Sequence, residues 1–290
     1  MDKTPKYVIV TPARNEARFI ETTIRSVTCQ TIQPAEWVIV DDGSTDETAA
    51  IVDRYAGQRS WIRMVRRPDR GCRKPGGGVV DAFYDGFNAL KRNDWDFIVK
   101  LDADLSFAAD YFERCLERFG REPQLGIGGG DIYHEVAGAQ TLEKNPRFHV
   151  RGATKIYRRA CWEAIGGLFP ASGWDTIDEL KANMLGWKTS SFKEIRVLHH
   201  RLTGSSESLL RDRAKHGVAC YVSGYHSLFV AASCLRRLFQ KPYIVGSFAM
   251  LYGFLKASVT RAPRVNDARL VDYVRTQQLR RLCGLETIWK

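Results

Sequence analysis

A chain of 290 residues can bury a full hydrophobic core and hold one large domain, or one domain with an appendage. Its apolar and charged fractions, 44% and 27%, exclude a disordered or fibrous chain, and seven scattered cysteines without a C-x-x-C pair exclude a disulfide framework or zinc site and suit reduced thiols. The net charge of +11 is lopsided: from Arg211 to the end, fourteen Lys and Arg stand against four acids, so the basic partner surface is C-terminal.

In chain order, Tyr7 to Pro12 reads as a short buried strand stopped by Pro12. The apolar run Tyr7 to Val10 is too short for a secretory segment and is followed by Arg14 and Glu16, so a cytoplasmic catalytic part is expected. A helix from Ala17 to Val27 places Phe19, Ile20, Ile24 and Val27 on one face. A second strand, Trp37 to Val40, runs into Asp41-Asp-Gly-Ser-Thr-Asp-Glu-Thr48, where Ser44, Thr45 or Asp46 can cap a helix from Glu47 to Tyr55. Ile62 to Val65 gives a third strand, Val79 to Leu90 a helix, and Phe97 to Leu101 a fourth strand, apolar apart from Lys100. Strands alternating with helices predict an α/β fold with a parallel sheet. Gly76-Gly-Gly78 lacks the G-x-G-x-x-G spacing and the G-K-[ST] ending, which argues against a Rossmann dehydrogenase or a P-loop NTPase.

The fourth strand delivers Asp102 and Asp104 at its carboxyl end, the edge of an open α/β sheet where ligands bind. Two carboxylates separated only by Ala103 can meet one hard cation, Mg²⁺ or Mn²⁺, whose shell is completed by water and phosphate oxygens. The site therefore asks for a diphosphate. On the adjacent loop Asp42 can accept the N–H of a uracil or similar base, with the backbone of Thr11 to Ala13 at the other edge.

Thr11-Pro-Ala-Arg-Asn-Glu16, Asp41-Asp-Gly-Ser-Thr-Asp46, the frame of Gly78, Ala82 and Gly86, and Leu101-Asp-Ala-Asp104 together resemble glycosyltransferase family 2 in order and spacing. The resemblance implies a GT-A fold, a Rossmann-like and mostly parallel sheet flanked by helices, here with a C-terminal helical extension. It further implies a nucleotide-sugar donor, Mg²⁺ or Mn²⁺ on the D-x-D, and transfer with inversion. Carried over by position, Thr11, Ala13 and Asp42 hold the base, Asp102 the ribose and Asp104 the metal, with Pro12, Glu16 and Ala103 completing the donor set and Asp102 also a candidate metal ligand. Leu105 stands where the family often has a further acid, which shifts weight onto Asp104 and a distant ligand. The family places such a ligand at the end of the strand Ile195 to Leu198, so His199 or His200 is expected there. Neighbours on a strand point to opposite faces, so one of the two serves, and His199 is preferred.

Between these motifs, Gly126 to Gly130 and Ala153 to Tyr157 read as strands, and a helix after Asp175 buries Ile177, Leu180 and Met184. Arg147 and Arg151 could meet a phosphate on an acceptor, as could Arg158 and Arg159, although those two are read as solvated. The family carries its catalytic base at the start of that helix. Counting back from Gly186-Trp187 places the base on Asp175, while counting forward from Gly166-Gly167 favours Asp178.

The reading divides the chain into a catalytic domain, 1–207, and a basic, apolar region, 208–290. In the latter, Val218 to Leu235 and Pro242 to Leu255 are flanked by Arg236, Arg237, Lys241, Lys256 and Arg261. Helices lying in a membrane interface fit this pattern, and a helical subdomain packed on the core is the alternative. No stacking platform or recognition helix points to nucleic acid. The expected activity is inverting transfer of a sugar to a lipid-linked or growing glycan in bacterial cell-surface polysaccharide synthesis, at the inner face of the membrane. Alternatives are a polyprenyl-phosphate glycosyltransferase and a catalytically silent nucleotide-sugar-binding module.

Overall fold

The computed structural model describes residues 4–69, 71, 77–136, 138–201, 209–239 and 243–289. Its first half alternates as expected: β1 (Tyr7–Ala13), α1 (Ile20–Thr28), β2 (Glu36–Asp41), α2 (Thr48–Ala56), β3 (Ile62–Arg66), α3 (Gly78–Asn88) and β4 (Phe97–Leu101). There follow β5 (Leu105–Phe107), α4 (Tyr111–Arg121), β6 (Leu125–Val136), β7 (Ala139–Leu142), β8 (Thr154–Arg158), α5 (Arg159–Ile165), α6 (Trp174–Met184) and β9 (Lys188–His199). Four helices close the chain: α7 (Leu209–Val222), α8 (Ser227–Arg237), α9 (Tyr243–Val259) and α10 (Ala268–Leu282).

The strands form one sheet in the order β3-β2-β1-β4-β8-β6-β9-β5, with β7 paired to β6. β3, β2, β1 and β4 are parallel, and the entry of β8 antiparallel to β4 ends that half. Every residue of β2 and β4 is buried, as strands covered on both faces require. One cluster under α1, α2 and α4 holds Ile9, Ile39 and Val99, and another under α3 and α5 holds Val8, Val38 and Ile98.

The Gly78, Ala82, Gly86 frame has a packing cause. All three lie on the buried face of α3, and a Cβ on Gly86 would come within 2.6 Å of Val10 and 2.7 Å of Val40. The helix therefore sits directly on β1 and β2.

Three expectations change. α1 begins at Ile20 and not Ala17, because the turn before it is tied to the next loop: Asp46 accepts the Ala17 N–H at 3.0 Å and Thr48 Oγ1 the Glu16 N–H at 2.7 Å. Arg158 is not solvated; its guanidinium donates to the carbonyls of Leu125 and Phe119 and lies over Phe97. The apolar run Val218 to Leu235 is broken into α7 and α8 at Gly224, whose φ is +73°. The proposed division near residue 207 falls in 202–208, outside the described residues, as do Lys241 and Pro242. Val222 of α7 and Leu270 and Val274 of α10 share a hydrophobic cluster with Ile177 and Leu180 of α6, so the C-terminal helices pack on the catalytic core.

Gly86→Ala should lower stability although alanine favours helix by about 1 kcal/mol, because overpacking costs roughly 1–3 kcal/mol. A fall of several degrees in the thermal midpoint is expected; an unchanged or higher midpoint would show that α3 can lift from the sheet without cost.

Candidate active site

The carboxyl ends of β1, β2 and β4 bring the sequence motifs to one edge. Thr11 is fully buried and its hydroxyl accepts from the Trp37 indole at 2.9 Å, so its side chain faces the core and only its backbone is left for a ligand. Pro12 and Ala13 follow, and the Ala13 carbonyl is taken by the Asp42 N–H at 2.8 Å. The Asp42 carboxylate, largely buried, is held by Arg67 at 2.6 Å, and Arg67 also reaches Asp85. The two loops are stitched together, since Asn15 accepts the Thr45 N–H at 2.8 Å and Ser44 accepts the Asn15 N–H at 3.0 Å.

Asp102, Asp104 and His199 converge, with one donor atom from each lying within 4.8 Å of the others. β5 brings this about: Leu105 pairs with His199, which places the D-x-D turn beside the end of β9. His199 Nε2 lies 3.2 Å from Asp104 Oδ1. His200 points elsewhere, hydrogen-bonded to Ser106 Oγ at 2.9 Å and stacked on Phe19. Arg201 pairs with Glu16 and lies 3.7 Å from Asp104 Oδ2. Burial alone would raise the Asp104 pKa, but the His199 hydrogen bond and the charges of His199, Arg201 and Lys100 hold it below the ordinary carboxylate value. Burial likewise opposes charge on His199, whose pKa Asp104 nevertheless raises. Two carboxylates and an imidazole fit a divalent cation of hard to borderline character. Ala103 is buried between the two acids and leaves the turn narrow.

The two candidate bases occupy different environments. Asp178 is fully buried, with both oxygens on the Lys155 ammonium at 2.8 and 2.9 Å and a further hydrogen bond from the Tyr157 hydroxyl. Burial raises its pKa and the neighbouring Glu179 adds to that, so that despite the opposing charge of Lys155 and the hydrogen bonds from Lys155 and Tyr157 it is pushed up to about 6. No face is left for an acceptor hydroxyl, so Asp178 is a core carboxylate. Asp175 is partly exposed in the first turn of α6 and lies against Gly152, where a Cβ would come within 3.2 Å of its own. Burial acts to raise the Asp175 pKa, yet the charges of His149, Lys155, Arg151 and Lys100 keep it low and the group ionised.

Two lysines connect these parts, and sequence reasoning gave them no role. Lys100 and Lys155 sit opposite each other on β4 and β8, both buried, with Trp174 within 5.3 and 5.6 Å of their ammonium groups. Lys100 binds Asp102 and donates to the Gly152 carbonyl at 2.6 Å. Lys155 binds Asp178, Glu179 at 2.8 Å, and the Asp175 carbonyl. A charged residue inside an otherwise apolar strand was the available signal for Lys100; Lys155, between Thr154 and Ile156 in a strand that also holds Tyr157 and Arg158, carried no such mark. Arg201, adjacent to the histidine pair, carried no comparable mark.

A mostly parallel sheet of this order with a D-x-D turn at its edge and a histidine facing it is the arrangement of a GT-A glycosyltransferase. The profile of glycosyl transferase family 2 matches residues 8–170, more than half of the chain, and the protein belongs to that family. It is similar to glycosyltransferase EpsH of Bacillus subtilis (strain 168), 27% identical over 70% of this chain and 63% of EpsH. It also resembles the poly-beta-1,6-N-acetyl-D-glucosamine synthase of Staphylococcus aureus (strain COL), 27% identical over 40% of this chain and 26% of that one. The chain thus spans under two thirds of the length of these relatives. In fold it matches the mannosyltransferase PcManGT from Pyrobaculum calidifontis, solved with GDP-Man and Mn²⁺, at a TM-score of 0.58 and 18% identity over 93% of this chain and 79% of that one. It also matches S. aureus TarS 1-349 with UDP-GlcNAc, at 0.54 and 17% over 90% and 74%.

Lys155→Met would leave Asp178 and Glu179 buried without their cation, and removing one partner of a buried pair costs about 3–5 kcal/mol. The urea midpoint should fall accordingly. A midpoint equal to that of the unmodified protein would mean that His149 and Tyr157 suffice to hold the two carboxylates.

Proposed function

We propose that the protein transfers a sugar with inversion from a nucleoside diphosphate sugar to an acceptor hydroxyl, with Asp175 as the general base. The observation that carries this reading is the pairing of an Asp102, Asp104 and His199 cluster with an ionised, partly exposed Asp175 held near it through Lys100 and Lys155. The backbone of Thr11 to Ala13 and the Asp42 carboxylate flank the base of the donor, and Asp102 meets the ribose. Asp104 and His199 would hold the metal, for which the mixed oxygen and nitrogen donor set favours Mn²⁺ over Mg²⁺. Bound there, the ion would supply Lewis-acid stabilisation of the departing diphosphate. Arg201 adds a fixed positive charge beside Asp104, and Glu16 orients that guanidinium. Asp175 takes the acceptor proton as the hydroxyl attacks the face of the sugar opposite the diphosphate. Glycosyltransferases of polysaccharide synthesis among its relatives support a bacterial cell-surface glycan as the product.

The C-terminal helices supply a membrane surface. Gly217 of α7 and Gly253 of α9 lie at a crossing so close that a Cβ on either would come within about 2 Å of a backbone carbonyl, which buries one face of α9. The opposite face exposes Ile244, Phe248, Tyr252, Leu255 and Val259 at helical spacing, and Leu228 and Leu235 of α8 are exposed as well. Arg236, Lys256 and Arg261 lie around them, exposed. No helix among the described residues is long and apolar enough to cross a membrane, and an apolar face bordered by cations fits the surface of an anionic bilayer.

Asp104→Asn should abolish the Mn²⁺-dependent part of nucleoside diphosphate binding, whereas Asp175→Asn should keep that binding and lose turnover by on the order of 10²-fold or more. Normal turnover of Asp175→Asn in a folded protein would remove it as the base. For the membrane, the full chain should co-sediment with anionic vesicles at low salt and less so at high salt. Phe248→Glu with Leu255→Glu should abolish the association, and undiminished sedimentation of that variant would refute the assigned face.

A further inference from the structure

A cavity of about 280 Å³ is walled by β6, the segment after β7, and β9. That volume is just under the range of roughly 300–1,000 Å³ typical of small-molecule pockets, enough for a phosphate and part of a sugar but not for a glycan chain. Its lining is unusually rich in cations: Lys144, Arg147, Arg151, Lys193 and the ring of His149, against Asp131 and Glu143. Not all of these are available to a ligand. Arg151 pairs with Glu143 at 3.0 Å, and the far side of Glu143 is held by His134 at 3.2 Å. His149 is fixed through Nδ1 to the buried Glu179 at 2.8 Å. Lys144, Arg147 and Lys193 remain, without a side-chain partner among the described residues, facing the single carboxylate of Asp131. The surplus is two positive charges, which matches the charge of about −1.5 to −2 on a phosphomonoester.

The position of the cavity relates it to the chemistry. On one side, the Glu143 and His134 pair leads to His199, whose carbonyl oxygen lies 3.3 Å from His134 Nδ1. On the other, His149 and Arg151 are among the charges that keep Asp175 ionised. Arg151 is also next to Gly152, which abuts Asp175, and His149 is bonded to Glu179 of the same helix, so the wall of the cavity leads to both the metal-side cluster and the base, and an acceptor attacking through Asp175 can extend into it. We propose that this cavity binds a phosphate group of the acceptor, so that the substrate receiving the sugar is a phosphorylated glycan or a sugar joined to a lipid through phosphate, and not a neutral saccharide. Arg147 and Lys193 grip the phosphate, Arg151 is locked by Glu143 at the rim, and Asp131 accepts from a hydroxyl of the attached sugar. The placement of the acceptor, though not the binding of phosphate itself, rests on the reading of Asp175 as the base.

The test is isothermal titration of the full chain at low salt without divalent cation, a condition that keeps phosphate away from the acidic D-x-D cluster. The titrants are sn-glycerol 1-phosphate, glycerol as the neutral control, and detergent micelles doped with farnesyl phosphate. The phosphate ester or the doped micelles should bind and glycerol should not. Arg147→Ala with Lys193→Ala should weaken the binding at least tenfold, while the charge-conserving Arg147→Lys with Lys193→Arg should restore most of it, which separates lost charge from lost fold. Dominance of the micelle arm, where the alanine pair removes it and Phe248→Glu with Leu255→Glu does not, assigns the phosphate to a lipid, and dominance of the soluble ester assigns it to a glycan. Equal binding of glycerol and its phosphate, or unchanged affinity in the alanine variant, overturns the proposal. Mn²⁺-dependent binding of UDP and GDP, measured on the same proteins, reports on the donor site independently and should be unaffected by the alanine pair.

Discussion

Two ammonium groups facing each other inside the sheet set the terms for the rest of the molecule. Lys100 and Lys155 are opposite residues of the β4 and β8 ladder, so their side chains leave the same face of the sheet. Like charges so placed repel, and burying each one unpaired would cost several kcal/mol. The fold meets that cost from two directions. Asp102 turns back onto Lys100 from the D-x-D, and Asp178 and Glu179 reach Lys155 from α6. The indole of Trp174 lies within cation–π reach of both ammonium groups. The nucleotide side of the cleft and the helix that carries Asp175 are thereby fastened to adjacent strands, which fixes their separation more firmly than a loop could.

The same arrangement explains why three neighbouring acids behave differently. Asp178 and Glu179 neutralise Lys155 inside the core, and their carboxylates are further occupied by the Tyr157 hydroxyl on Asp178 and by His149 and the Val150 N–H, at 2.7 Å, on Glu179. Asp175 contributes only its carbonyl to Lys155, so its carboxylate is free of that pair yet feels the field of every nearby cation. A carboxylate that stays charged without being consumed by a single partner suits proton abstraction in a way its two neighbours do not.

The edge of the sheet is built by a second device, the stitching of successive loops. Asp46 and Thr48 of the second loop accept backbone N–H groups of the first, and Asn15 adopts a left-handed φ of 54° to return a hydrogen bond to Thr45. The polar residues of Asp41 to Thr48 thus serve mainly to hold the donor loops together, which leaves Asp42 as the acid of that turn aimed at Arg67 and the cleft. Beyond the sheet, α7 and α10 close their core on α6, so the basic tail is continuous with the helix that carries Asp175, and α9 exposes an apolar stripe.

The alternating strands and helices of the first hundred residues, the buried β4 and the four motifs were legible in the sequence, because each depends on local periodicity or on a turn a few residues long. Assignment to glycosyltransferase family 2 followed from those motifs alone. The choice between His199 and His200 needed β5, a three-residue strand with too little pattern to be read, whose pairing with β9 turns His199 toward Asp104. The choice between Asp175 and Asp178 depended on where Lys155 and Tyr157 stand, and those residues lie more than twenty positions away along the chain. Lys100 looked like an isolated charge in an apolar strand and Lys155 like one of several polar residues in its own, until the antiparallel register set them side by side. Long-range pairing, burial and the field of many cations decide which acid is left accessible and charged, and none of these is a property of a sequence window.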